Sequence, residues 1–356
     1  MDRRRFLFSM AGGMTASALS AVGVAVGATK PRQSKLGIAG FSYHVRMRAE
    51  RSGKIPAQVS DPLDLLRRCS KLGAGGMQCS LGKRDESYIR QLRRYAADHN
   101  LFIEGSASLP RDAGDVERFE SHVLTAKNAG ASVVRVAIGG RRYEQFDKLE
   151  QFRTFAARTW TSMQLAEPVV ARHRMRLAIE NHKDFRAPEM LKMLERLDSE
   201  YVGMCLDTGN SIALLEDPMD TVRTWVPWAH SVHVKDMALR EYEDGFLLAD
   251  VVLGKGLLGL PAIVAMIRKA RPGIRFCLEM ATRDPLKVPC LTERYWATLA
   301  DVPGSDLART LRYVRVNAGD EDALPRVSHL PLAEQVRLEE ENIRKCLRYA
   351  SAYLDL

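Results

Sequence analysis

The sequence predicts an α/β fold of the (β/α)8 class, with eight parallel strands closed into a barrel under a layer of helices and a C-terminal helical extension. Four short apolar runs support this prediction, because each ends in an ionisable side chain. These side chains are Glu180, Asp207, His233 and Glu279. Segments long enough for a helix separate the runs, and strands that alternate with helices in this way form parallel sheets.

The alternation of large and small residues within each run separates an outer face from an inner face. Side chains alternate across a strand, so residues two positions apart share a face. Small residues lie two positions before the ionisable ones, at Ala178, Cys205, Ser231 and Cys277. Large apolar residues occupy the other face, at Leu177, Ile179, Met204, Leu206, Val232, Val234, Phe276 and Leu278. An apolar outer face is typical of strands under helices, and the polar ends then meet at the carboxyl-terminal mouth of the barrel.

The remaining elements follow in alternating order. LGIAGFSYHV, from Leu36, is predicted as the first strand and its loop, and the next strands are predicted at 76–82, 101–109 and 132–140. Asp61 can cap a helix over 61–72, with Pro62 in its first turn. Pro168 is expected to break a long helix over 144–174. The other predicted helices are 85–100, 112–130, 188–197, 217–226, 261–270, 305–316 and 332–354.

Two segments are predicted to cover the mouth of the barrel. Residues 236–255 follow strand seven as a hairpin or arm, and residues 280–299 follow strand eight with the length of a lid. Between them, the GKG sequence at 254–256 either binds an anion with its backbone N–H groups or forms a tight turn.

The first 28 residues resemble a twin-arginine export signal. Arg3 and Arg4 precede Phe6, and a run of small and apolar residues extends from Ala11 to Ala28. The run is rich in Ala, Gly, Ser and Thr, so a membrane anchor is the weaker reading. We expect a periplasmic or other extracytoplasmic location, without stable membrane insertion after export. The predicted organisation is a signal (1–28), a linker (29–35), the barrel (36–320) and the helical extension (321–356).

Charge and cysteine content argue against other classes of protein. The formal net charge is +9, but Arg and Lys are scattered and form no stripe with aromatic residues. A solvated basic surface is therefore predicted rather than binding of nucleic acid. The six cysteines include no CxxC pair, which argues against a zinc finger or a redox centre. The choice between a monomer and a homo-oligomer stays open.

The ionisable strand ends are predicted to hold one divalent metal ion. Three carboxylates and an imidazole suit Mn²⁺, Mg²⁺, Co²⁺ or Zn²⁺. Their spacings of 27, 26 and 46 residues allow one β/α unit for each of the first two gaps and an inserted hairpin in the third. The alternative is that the acids pair with Arg or Lys, since burial of several acids without counter-charge is costly.

Five segments resemble the xylose isomerase-like TIM barrels, which include sugar phosphate isomerases and epimerases, ketose 3-epimerases, inosose dehydratases and, more distantly, metal-dependent AP endonucleases. The segments are LAIENH (177–182), CLDTGN (205–210), SVHVKD (231–236), VLGKGLLGLPAIVAMI (252–267) and FCLEM (276–280). The resemblance extends over 36–316. It implies a sugar or keto-sugar substrate, and it implies that Glu180 and Glu279 act as the acid/base pair while they contact the metal.

The predicted activity is a metal-dependent sugar isomerase or epimerase. A cation that binds two oxygens of an α-hydroxyketone stabilises the enediolate formed by proton abstraction. Because the same enediolate can expel a leaving group, a dehydratase or lyase acting on a keto-sugar or an inosose is the alternative. A non-catalytic exported carbohydrate-binding protein is a second alternative. A nuclease with three metal ions would need more histidines at strand ends than this chain offers.

Residues near the four ligands are candidates for contact with the substrate. His182 and Lys235 follow ligands closely and can orient substrate oxygens, and Asp236 either orients His233 or binds substrate. Arg135, on the inward parity, is expected to counter the carboxylates, and Glu104 either bonds substrate or pairs with an arginine. The predicted substrate-binding set is His44, His182, Asn210, Lys235, Asp236 and Arg283.

Overall fold

A computed structural model of the protein describes residues 34–318 and 324–356, and the predicted export signal lies outside them. Within these residues, eight parallel strands close into a barrel, which confirms the predicted fold. The barrel strands are β1 (Gly37–Ala39), β2 (Gly76–Cys79), β3 (Phe102–Ala107), β4 (Val133–Val136), β5 (Arg176–Glu180), β6 (Val202–Asp207), β7 (Ala229–Val234) and β10 (Phe276–Leu278). β10 closes the barrel by pairing with both β7 and β1.

Helices surround the barrel in the predicted alternation. They are α1 (His44–Arg51), α2 (Pro62–Leu72), α3 (Glu86–Asp98), α4 (Val116–Asn128), α5 (Arg142–Gln145), α6 (Leu149–His173), α7 (Ala187–Leu197), α8 (Pro218–Trp225), α9 (Leu260–Ala270), α10 (Glu293–Trp296), α11 (Gly304–Asn317) and α12 (Leu332–Tyr349). The Asp61 side chain accepts the backbone N–H of Leu63 at 2.9 Å, so the predicted cap of α2 is confirmed. Every described helix is too short or too polar to cross a membrane.

The prediction of a helix break at Pro168 is wrong. α6 runs without interruption from Leu149 to His173, with Pro168 inside it. Proline removes the hydrogen bond to the carbonyl four residues earlier, which here belongs to Gln164. Pro168 and Gln164 are both exposed, so water can satisfy that carbonyl and the helix continues.

The predicted hairpin after β7 is present and becomes part of a small antiparallel sheet. β8 (Asp236–Tyr242) pairs with β9 (Gly245–Val251), and β9 also pairs with β11 (Leu286–Val288). β11 belongs to the segment after the last barrel strand that the sequence predicts as a lid. That segment is therefore anchored to the hairpin by backbone pairing.

The C-terminal helix α12 supports α1 through a buried acid. Glu339, fully buried on α12, accepts the backbone N–H groups of Val45 at 2.7 Å and Arg46 at 3.0 Å. A carboxylate at this place satisfies N–H groups of the first turn of α1 that have no partner within the helix. The extension thereby holds in place a helix that the sequence analysis did not predict.

Candidate metal centre

The four predicted ligands converge at the carboxyl-terminal mouth of the barrel. Glu180 and Asp207 end β5 and β6, His233 lies near the end of β7, and Glu279 directly follows β10. Each is buried and offers one ligand atom, and these atoms all lie within 4.8 Å of one another. His233 Nδ1 is 3.7 Å from Glu180 Oε2, 3.9 Å from Asp207 Oδ2 and 3.4 Å from Glu279 Oε1. The strand ends therefore bring together residues that are far apart in the chain.

A chain of hydrogen bonds inside the barrel orients the His233 ring. His233 Nε2 lies 2.7 Å from Gln78 Oε1, which can only accept, so Nε2 carries the hydrogen. The Gln78 amide donates to Glu104 Oε2 at 2.9 Å, and Ser231 Oγ donates to the same oxygen at 2.6 Å. Burial raises the pKa of Glu104. When the ring is neutral, its lone pair is therefore on Nδ1, which faces the carboxylates.

Two buried atoms show that the site fits a divalent cation. His233 Nδ1 and Asp207 Oδ2 accept no hydrogen bond from the described residues. The other oxygen of Asp207 accepts the N–H groups of Gly209 at 2.9 Å and Asn210 at 2.8 Å, so only Oδ2 faces the cluster. Buried acceptors normally have partners, and three carboxylates with an imidazole are a donor set for a hard or borderline divalent ion.

Two cationic side chains also contact the carboxylates. Lys235 Nζ donates to Glu279 Oε2 at 2.6 Å and lies 2.9 Å from Asp207 Oδ2, without hydrogen-bond geometry at the latter. Arg135 contacts Glu180 and lies 4.0 Å from Glu279 Oε1, as its inward parity suggested. Although burial favours the neutral acid, Lys235, His233 and Arg135 hold the pKa of Glu279 well below its ordinary value. Burial opposes the charge of Lys235, but Asp207 and Glu279 outweigh it and raise the pKa.

Asn210 and Lys183 complete the polar wall of the site. Asn210 Nδ2 donates to Glu180 Oε1 at 3.1 Å, and its amide oxygen accepts from Lys183 and from Lys235, the latter at 3.3 Å. The sequence analysis did not include Lys183, although it follows the LAIENH segment directly. Burial, with repulsion from Lys235 and Arg283, lowers its pKa to about 7.

The two predicted histidines and Arg283 have different surroundings. Burial and the neighbouring Lys183 lower the pKa of His182 well below its ordinary value, and its Nδ1 has no partner among the described residues. His44, the first residue of α1, stacks on Phe41 and lies 3.6 Å from Glu339. Arg283 donates to Asp250 of β9 at 3.0 Å.

Asp236 has a different environment from the other predicted substrate residues. Its two oxygens accept four backbone N–H groups, from Met237, Gly254, Gly256 and Leu258, at 2.9–3.1 Å. The N–H groups of the GKG turn therefore hold a carboxylate of the protein itself. A side chain at Gly256 would collide with Asp236, because its Cβ would lie 2.2 Å from Oδ1.

A cavity of about 580 Å³ opens beside Glu279, one of the four predicted ligands. Gln78, Arg135 and Glu279 line it where it meets the metal centre, and His44 and Arg48 of α1 form part of its wall. Sequence analysis included His44 among the substrate-binding residues but missed this helical wall. Val45 and Ala49, buried and four residues apart, were the signal for a helix.

Fold and site together define a (β/α)8 barrel whose mouth can hold a divalent cation. The sequence matches the profile of the xylose isomerase-like TIM barrel family over residues 66–301. Because this match spans well over half of the chain, the protein belongs to that family.

Similar proteins include enzymes of more than one kind. The chain is 29% identical over 233 residues to the 3-oxo-isoapionate decarboxylase of Pectobacterium atrosepticum, an alignment that covers 63% of this chain and 80% of that protein. A crystal structure of D-psicose 3-epimerase in the presence of D-fructose is similar with a TM-score of 0.57 and 15% identity, over 89% of this chain and 98% of that one. The 3-keto-D-glucoside 4-epimerase of Escherichia coli is similar with a TM-score of 0.52 and 12% identity, over 80% and 99% of the two chains. At these identities, the two structures show a shared fold.

Proposed function

We propose that the protein is a divalent-metal-dependent isomerase or epimerase of sugars or keto-sugars that removes a proton next to a carbonyl group. The convergence of Glu180 and Glu279 with Asp207 and His233 is the observation that carries this proposal. The adjoining cavity of about 580 Å³ lies in the size range of small-molecule sites.

The side chains of the site can divide the work of proton transfer. Glu180, Asp207, His233 and Glu279 would hold the ion, which when bound acts as a Lewis acid that polarises substrate oxygens. Glu279 lines the adjoining cavity, so it is placed to take a proton from a substrate bound there. Glu180, protonated before the reaction, would deliver a different proton, after which Glu279 loses a proton to solvent and Glu180 takes one up. Asn210 and Lys183 can bind substrate hydroxyl or carbonyl oxygens. Delivery of the proton to the opposite face of the same carbon gives epimerisation, and delivery to the neighbouring carbon gives isomerisation.

A lyase is the second candidate function, and two observations favour it. The relative from Pectobacterium atrosepticum is a decarboxylase, and Arg135 places a guanidinium beside the two glutamates. Decarboxylation of a 3-oxo acid breaks the bond to the carboxylate carbon. The electron pair passes to the carbonyl oxygen, and CO₂ leaves behind an enolate that then takes up a proton. This reaction needs the same stabilisation of an enolate as epimerisation does.

Deuterium exchange, together with measurement of CO₂ release, tests both candidate functions. The Mn²⁺-loaded protein, incubated in D₂O with a panel of keto-sugars and 3-oxo sugar acids, should incorporate deuterium next to the carbonyl of at least one compound. Release of CO₂ would identify a decarboxylase. Absence of exchange and of CO₂ release across the panel, with Mn²⁺ shown to be bound, would overturn the proposal.

We further propose that the protein is exported by the twin-arginine route. Arg3 and Arg4, followed by the apolar run to Ala28, support this proposal. Residues 1–35 fused to a reporter protein should direct it out of the cytoplasm of a bacterium with this route. The double substitution Arg3→Lys and Arg4→Lys should retain the reporter inside, and equal export of both fusions would contradict the proposal.

A further inference from the structure

Charges at the mouth of the barrel balance before any ion binds. The buried carboxylates that contact side-chain cations there are Glu180, Asp207, Asp250 and Glu279. The cations around them are Arg135, Lys183, Lys235 and Arg283, joined to the carboxylates or to Asn210 by the contacts described above. A bound divalent ion therefore adds two positive charges to a balanced, buried site. When Lys183, with its pKa of about 7, is neutral, one positive charge remains in excess.

Uncompensated charge in a buried site is costly, so a ligand that brings negative charge would stabilise the loaded centre. The cavity beside the centre has the matching character. Three arginines line it, Arg48, Arg51 and Arg135, and Glu279 is the sole carboxylate among the described residues that do so. An anionic ligand in this cavity would meet positive charge at its wall and beside the ion.

The Arg135 side chain lines the cavity and is not fully hydrogen-bonded within the part of the protein that the structure describes. Its guanidinium contacts Glu180, but its buried Nε has no partner among the described residues. The side chain is 19% exposed and lines the cavity together with Glu279 and Gln78. A guanidinium edge binds the planar carboxylate group well, because two parallel N–H donors match its two oxygens.

We propose that the substrate is a sugar acid, with a carboxylate close to the reacting carbonyl, and that Arg135 binds this carboxylate. The inference rests on the proposed function and names its substrate class. Arg135 touches one proposed acid/base residue and approaches the other, so the group it binds lies near the reacting carbons. A phosphate at the far end of a sugar would instead reach the exposed Arg48 and Arg51.

This arrangement couples the metal ion to the carboxylate. Each reduces the cost of unbalanced charge for the other, so each should raise the affinity of the other by the same factor. In the absence of an anion, loss of the Arg135 charge should also raise the affinity for the metal ion. The coupling can be measured without turnover.

The test measures Mn²⁺ affinity by competition with a chelator, at fixed free Mn²⁺, with three ligands of one carbon skeleton. D-Gluconate is expected to raise the affinity of the wild-type protein about tenfold, equivalent to about 1.4 kcal/mol. Neutral D-glucitol should leave it unchanged. An effect of D-glucitol 6-phosphate larger than that of D-gluconate would identify a phosphorylated substrate and overturn the proposal, as would equal effects of D-gluconate and D-glucitol.

Variants of Arg135 assign the coupling to this residue. R135Q should bind Mn²⁺ more tightly than wild type without ligand and should lose the enhancement by D-gluconate, whereas R135K should retain part of it. R90Q removes an exposed arginine of α3 and should behave like wild type. Full enhancement in a folded R135Q protein would mean that gluconate acts through the ion alone and would overturn the role of Arg135.

Failure of this proposal and failure of the proposed function give different results. Exchange with neutral keto-sugars, but no coupling to gluconate, would keep the reaction and remove the substrate class. Coupling without exchange or CO₂ release would keep the ligand class and remove the reaction.

Discussion

Two groups of buried carboxylates in this protein differ in what satisfies their oxygens. At the candidate metal centre, Glu180 and Glu279 face each other, His233 and the cationic side chains. In the second group, backbone N–H groups bind the buried acids. Asp184 accepts from Gly139 at 2.7 Å and Phe185 at 2.8 Å, while Asp236 accepts four such bonds.

We expect the first group of carboxylates to serve function and the second group to serve stability. Backbone N–H groups cannot leave a carboxylate without a change in the fold, so acids of the second group fasten loops and helix ends. Side-chain cations and an open oxygen leave a carboxylate free to bind an ion or a proton. Asp207 combines both environments, since two backbone N–H groups hold Oδ1 while Oδ2 faces the cluster.

The largest effect is expected from loss of the proposed acid/base pair. Glu180→Gln and Glu279→Gln should each lower turnover by about 10²–10⁴-fold, because each removes a proton-transfer group. Turnover is measured with the substrate found by deuterium exchange, and thermal unfolding shows whether each variant keeps its stability. Near-normal turnover in both variants would remove the pair from the reaction.

Loss of the hydrogen bond that orients His233 should weaken metal binding. Gln78→Leu should lower Mn²⁺ affinity by about 10–100-fold, because the ring is then free to rotate and to change tautomer. Competition with a chelator measures this loss without turnover. Gln335→Leu is the control. This glutamine lies on the C-terminal helix, and its amide donates to the carbonyl of Leu330 rather than to a residue of the site. Equal affinities of the two variants would contradict the positioning role of Gln78.

Substitution of Asp236 should lower stability more than it lowers metal affinity. Asp236→Ala leaves four backbone N–H groups without their acceptor and should lower the free energy of unfolding by about 2–4 kcal/mol. Its Mn²⁺ affinity, measured below the unfolding transition, should change much less than that of Gln78→Leu. A stable protein that no longer binds the ion would place Asp236 in the first group of carboxylates.

The last prediction concerns pH and Glu339. Burial raises the pKa of Glu339 from an ordinary value of 4.5 to about 7. The folded state therefore binds a proton that the unfolded state releases between these values, so stability from this group is complete below pH 4.5 and is lost as pH rises through about 7. Glu339→Gln should reduce the slope of unfolding free energy against pH in this window by an amount that corresponds to up to about one bound proton. Unfolding in urea at pH 5, 6 and 7 measures the slope, and identical slopes would contradict the assignment.

The barrel and the four candidate ligands could be predicted because both depend on local rules. Alternation of side chains along a strand separates Ala178 from Ile179 whatever surrounds them, and parallel strands end at one mouth. Arg135 was assigned to the interior by the same parity. These features need no knowledge of which loop returns to which strand.

The partners of individual polar atoms were decided by the tertiary structure. Asp207 and Asp236 both follow short apolar runs, yet one faces the ligand cluster and the other is bound by a turn 18–22 residues further along the chain. Glu339 and the N-terminus of α1 are separated by 294 residues. Residue type and periodicity set which face a side chain occupies, but a hydrogen bond forms only where the whole chain brings donor and acceptor within about 3 Å.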